Sequence, residues 1–206
     1  MEQTTPHPGF STRRDQLRNG GRGALIGTAF GVMWFSLGQS AVHGAVRTVV
    51  LALAALLLLA SVAAVIHLFR SARLTPADQP GAPVAPGGGG PRFLRIVLIE
   101  AVVLGVGNNL LRTTFHRPEL MLTWSALVVG AHFFPMARTL RAPLLRVIGS
   151  AMIATVAVAA LLSLLPGASA DVWQAVPGIG CAAVLWAAAA GTAVRAGRTP
   201  GPKAVG

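Results

Sequence analysis

Four side chains combine chemical capability with an apolar setting: Glu100, Asn108, Asn109 and His132. A carboxyl and an imidazole brought together can pass a proton, and adjacent amides can hold a polar solute. Glu100 is the acidic residue set deepest in an apolar run. An ionisable group there costs about 2.5–3.5 kcal/mol to insert into a membrane and faces the interior of a helix bundle by preference. The plainer role for each of these residues is a hydrogen bond that cements two helices. Metal chemistry is not supported, because one His and one Glu fall short of the three or four ligands a site requires. Cys181 is the single cysteine, so neither an intrachain disulfide nor a cysteine-rich metal site is available. Ser125 precedes His132 by seven residues on one helix face, yet no Gly-x-Ser-x-Gly elbow surrounds it. The run Gly87 to Gly90 follows Pro-rich sequence and lacks a Gly-Lys-Ser/Thr ending, so it reads as linker and not as a phosphate loop. No catalytic residue, cofactor or metal is expected, and the balance is against an enzyme.

The elements that must position these residues follow from composition. The 206 residues are 53% hydrophobic and 11% charged, and mean hydropathy is +0.65. A soluble domain carries about 25% charged residues, so the chain reads as an integral membrane protein. Its formal charge of +11 comes from 17 basic residues, 16 of them Arg, which lie singly or in small groups between apolar runs. That spacing builds membrane loops, not a basic face for nucleic acid.

The expected architecture is all-α, an integral membrane bundle of six transmembrane helices. Spans are predicted near residues 24–42, 49–69, 93–111, 118–138, 144–165 and 172–194. Residues 1–21 and 196–206 read as disordered cytoplasmic tails flanking a transmembrane domain over 22–195, with a Pro/Gly-rich linker over 70–92. A signal peptide is the competing reading of the first span, but the apolar run exceeds the usual 7–15 residues. Gly23, Gly27 and Gly31 recur every four residues in that span. Such spacing predicts a face on which another helix of the same chain approaches closely, with a dimer face as the alternative. Pro135 predicts a kink or early end to the fourth span, and Pro177 with Gly178 and Gly180 an interruption of the sixth.

Six spans place both termini on one side. The opposite side then holds only Arg47, Arg112 and Arg117, against 14 of the 17 basic residues on the side of the termini. Positive residues mark the cytoplasm, so both termini are expected there, in a multi-pass cell-membrane protein. In a short antiparallel hairpin of the third and fourth spans, Glu100 and His132 each lie about 10 Å from the cytoplasmic end. They are therefore expected to meet. The same register sets Asn108 level with Trp124 and Asn109 level with Thr123.

The run Gly130-Ala131-His132-Phe133-Phe134-Pro135-Met136-Ala137 resembles a helix-end pattern in small, uncharacterised bacterial six-span membrane proteins. The resemblance covers eight residues; it implies a multi-span helical fold and names no activity. The function expected is that of a multi-pass membrane protein with a structural or interaction role. The alternative is a small proton-coupled or solute transporter using the polar site between the third and fourth helices. The partners implied are the lipid bilayer and either a second copy or another membrane protein; nucleic acid is not among them.

Overall fold

The computed structural model describes residues 10–76, 80–83 and 90–198. Among the described residues the chain forms six α-helices: α1 (Arg13–Gly38), α2 (Gly44–Leu74), α3 (Pro91–Thr113), α4 (Met121–Thr139), α5 (Pro143–Ser163) and α6 (Val172–Arg198). Five helical stretches are long and apolar enough to cross a membrane: Gly44–Leu74, Phe93–Thr113, Pro118–Thr139, Pro143–Ser163 and Val172–Gly197. α1 does not reach that standard, because Arg13, Arg14, Asp15, Arg18 and Arg22 occupy its first half. The described chain is thus a helical bundle compatible with a multi-pass membrane protein.

Three departures from expectation lie in the polar segments. Residues 13–21, expected as disordered tail, are the first turns of α1. Thr12 caps them: its Oγ1 accepts from the Asp15 N–H at 3.2 Å and donates to the Asp15 carboxylate at 2.8 Å. This is the Thr-x-x-acid arrangement that satisfies an orphan N–H at a helix start. The expected linker is also shorter than 70–92. α2 runs to Leu74 and α3 starts at Pro91, where a missing N–H costs nothing. Between them β2 (Pro80–Pro83) pairs antiparallel with β1 (Phe10–Thr12). The C-terminal helix likewise continues past residue 195 to Arg198. The tails over 1–9 and 199–206, and the glycines 87–89, lie outside the described residues.

α6 is the centre of the bundle and packs against α1, α2, α4 and α5. Trp34, Ala54, Ala126, Ile148, Met152, Cys181 and Trp186 converge from these five helices into one core. Small residues let the backbones meet, as membrane helix packing requires. A Cβ on Gly38 would stand 2.8 Å from the Gly178 Cα, and one on Gly130 would stand 3.0 Å from the Gly149 oxygen. The indole of Trp186 fills the notch at Gly31 and donates to the Thr28 carbonyl at 3.1 Å.

The glycine face expected on α1 is corrected in part. Gly31 packs tightly and Gly27 stands in ordinary contact with the Leu185 oxygen, but Gly23 faces open space. The buried stripe is Leu17, Gly21, Ala24, Thr28, Gly31, Trp34 and Gly38, advancing in steps of three and four. Steps of four alone rotate about 40° each. Gly23 has therefore turned about 80° away from the face that Gly31 occupies.

Neither internal proline ends its helix. α4 continues through Pro135 to Thr139, and α6 contains Pro177 near its start. Pro177 has no N–H to give the carbonyl four residues back, that of Trp173. The hydroxyl of Thr123, a buried residue of α4, donates to this carbonyl instead. A neighbouring helix thereby satisfies the group that the proline frees.

Candidate polar site between α3 and α4

α3 is the outlying helix: it packs on α4 and on the 3-10 turn Pro118–Leu120, and none of its apolar window is buried. Leu94, Leu98, Ile99, Val102, Val106 and Leu110 are all exposed. A helix with so little buried surface needs other attachments, and the polar residues provide them.

Glu100 and His132 meet across the hairpin. The His132 Nδ1 lies 3.1 Å from the Glu100 Oε2, and the side chains are only 8% and 17% exposed, respectively. The separation is that of a hydrogen bond, whereas Nδ1 has no partner in hydrogen-bond alignment. A small rotation about the last torsion of either side chain brings the pair into alignment. Two turns further along, the Asn108 Nδ2 donates to the Ser125 Oγ at 3.2 Å, and that hydroxyl donates in turn to the Met121 carbonyl at 2.8 Å. The Asn108 Oδ1 is left without a partner. Between the two contacts the indole of Trp124 occupies the space over Gly107 and donates to the Val103 carbonyl at 3.3 Å.

These contacts share one register. Opposed positions 100/132, 107/124 and 108/125 keep nearly constant sums, as an antiparallel helix pair demands. Asn109 does not join the group. Adjacent residues diverge by about 100° on a helix, so Asn108 turns to α4 and Asn109 is exposed. Nor does Thr123 face Asn109; it is engaged by α6 as described.

Trp124 and Ser125 are the contributors that the sequence did not single out as site residues. Their signal was present in the hairpin register, which sets both within one residue of Asn108. Their aim is decided by how α4 turns against its neighbours. His116 lies in the α3–α4 turn with its Nδ1 3.1 Å from the Thr114 carbonyl oxygen, remote from the pair. Among the described residues no group of three or more His, Cys, Asp or Glu side chains could hold a metal ion.

The arrangement offers a carboxyl–imidazole contact, an amide–hydroxyl contact and an indole–carbonyl bond, each linking α3 to α4. Two cavities among the described residues lie away from these contacts: one is lined by Arg14, Arg18, Arg22, Phe69, Ala72 and Arg73, the other by residues of α1, α2 and α6. No family model, no curated protein and no solved structure matches the chain.

Proposed function

We propose that the chain is a six-span integral membrane protein with a structural or interaction role, both termini cytoplasmic, in which the polar residues of α3 and α4 fasten an outlying helix to the bundle. The observation that carries the role is the engagement of Glu100, Asn108 and Trp124 in contacts across one helix pair. Packing glue is the ordinary use of such groups in a membrane. The exposed apolar face of α3 fits acyl chains or another membrane helix.

Support for six spans comes from α1. Its 26 residues extend about 39 Å, and its buried stripe runs from Leu17 to Gly38 against the other helices. The contacts of Gly21 with Phe69, Gly38 with Gly178, Gly130 with Gly149, Gly180 with Thr155 and Glu100 with His132 support antiparallel packing of α1 on α2 and on α6, of α4 on α5, of α5 on α6 and of α3 on α4. The starts of α1, α3 and α5 and the ends of α2, α4 and α6 therefore share one end. That end is the one carrying the arginine excess, which supports cytoplasmic termini.

Flux in liposomes tests the role. Wild-type protein and Glu100→Gln should both pass protons and small solutes no faster than protein-free vesicles. Flux through the wild type that Glu100→Gln abolishes would establish the transport alternative and overturn the structural one. A tag in the 87–90 linker that reacts from outside the cell would overturn the orientation.

A further inference from the structure

The basic end of the bundle holds a feature that the polar hairpin does not use. Arg14, Arg18 and Arg22 recur every four residues on one face of α1, and Arg73 joins them from the last turn of α2. Together with Phe69 and Ala72 they line a cavity of about 340 Å³. That volume falls within the roughly 300–1,000 Å³ of small-ligand sites.

Four guanidinium groups around one cavity repel each other, and like charges four residues apart weaken a helix. Among the described residues none of the four forms an ion pair. The described acids are otherwise engaged: Asp15 by Thr12, Glu119 by Arg117, Asp171 by Ser169, and Glu100 by His132. The Nε of Arg14 is wholly buried and has no hydrogen-bond partner. A buried charged donor left unsatisfied is costly, and an oxyanion in the cavity would relieve both the repulsion and the orphaned N–H.

The setting selects among anions. The three α1 arginines span about 12 Å of helix and end at Arg22, two residues before the buried, apolar Ala24. Below them lies the ring of Phe69, which sits so close to α1 that a Cβ on Gly21 would stand 3.2 Å from it. In the six-span arrangement proposed above, on which this inference rests, the cavity joins a cationic wall to an apolar floor at the level where the bundle passes from water to hydrocarbon. Guanidinium forks match phosphate oxygens in pairs, and basic pockets between membrane helices take up lipid head groups on the cytoplasmic side. A free inorganic anion makes no use of the Phe69 floor; an amphiphile does. We propose that this cavity binds the phosphate head group of an anionic phospholipid, with Arg14, Arg18, Arg22 and Arg73 around the phosphate and Phe69 under the glycerol.

The test uses the full chain, delipidated in neutral detergent and titrated with phosphatidylglycerol or phosphatidylcholine, with bound lipid counted by native mass spectrometry. Saturable binding of phosphatidylglycerol and none of phosphatidylcholine is expected. Each arginine removed should weaken binding about five-fold, the factor equivalent to about 1 kcal/mol per basic residue. Arg18→Gln with Arg22→Gln should therefore lose about 25-fold, and the corresponding double Lys variant less, since it keeps the charge without the fork. Arg138→Gln with Arg146→Gln, which removes equal charge from positions outside the cavity lining at the same end, should bind as the wild type does. Without lipid the Arg18/Arg22 double Gln variant should melt no lower than the wild type; a lower midpoint would make the arginines structural and overturn the site. Equal losses from the two Gln pairs would replace the site with diffuse surface attraction. Inorganic phosphate that displaces the lipid at comparable concentration would keep a phosphate site but overturn the lipid as its occupant.

Discussion

The contact between Gly38 and Gly178 offers a measurable test of how α1 is held. Gly38→Ala places a Cβ 2.8 Å from the Gly178 Cα and 3.0 Å from both the Gly178 carbonyl carbon and the Ile179 nitrogen. All three are backbone atoms, which no rotamer change can move. Ordinary contact begins near 3.4 Å, so the helices must part by about 0.6 Å locally. A gap of 0.5–1 Å forfeits about a quarter to a half of the dispersion well for each atom pair involved. In a membrane that loss is not hidden by a hydrophobic term, because lipid is as apolar as the helix surface. Overpacking of this kind costs about 1–3 kcal/mol. Gly23→Ala is the matched control: its Cβ meets nothing within 4 Å. Both substitutions restrict the unfolded chain similarly, a gain of about 0.4–1 kcal/mol. That gain cancels in the comparison, leaving about 1–3 kcal/mol by which Gly38→Ala should be the less stable. Unfolding in mixed micelles, followed by the fluorescence of buried Trp34 and Trp186, gives the difference. Equal stability of the two variants, or a loss confined to Gly23→Ala, would refute the packing described for α1.

Thr123→Val keeps shape but leaves the Trp173 carbonyl without the donor that replaces the Pro177 N–H; an unsatisfied buried group costs about 1–3 kcal/mol, and a neutral result in the same unfolding assay would contradict that role. Trp124→Ala opens the notch at Gly107 and removes the bond to Val103. Its cost should exceed the roughly 0.6 kcal/mol of an average intramembrane hydrogen bond and stay below the roughly 3–5 kcal/mol of a fully buried aromatic. Amide exchange should rise in α3 well before α6, and a uniform rise across the bundle would count against α3 as a separately fastened helix.

The helical class and the antiparallel α3–α4 pairing were legible in the sequence because they depend on quantities that run along one dimension. Apolar length, proline positions and the depth of each residue from a helix end are of that kind. Depth matching places Glu100 opposite His132 without knowledge of any other helix, because a short turn leaves the pair no other register. The Thr12–Asp15 cap is a local motif that the disordered-tail reading of residues 1–21 passed over, and it explains why α1 starts well before its apolar half.

Rotation about each helix axis was not legible, and it decides the remainder. Gly23 and Gly31 are equivalent in spacing and composition, yet one faces open space and the other receives the Trp186 indole. Asn108 and Asn109 are identical residues, and only Asn108 turns to α4. Likewise, Arg14, Arg18, Arg22 and Arg73 read in sequence as scattered basic residues, and only the packing of α1 on Phe69 gathers them around one cavity. In lipid, polarity alone does not choose the inward face of an apolar helix; close packing chooses it, and close packing exists only once the partner helix is in place.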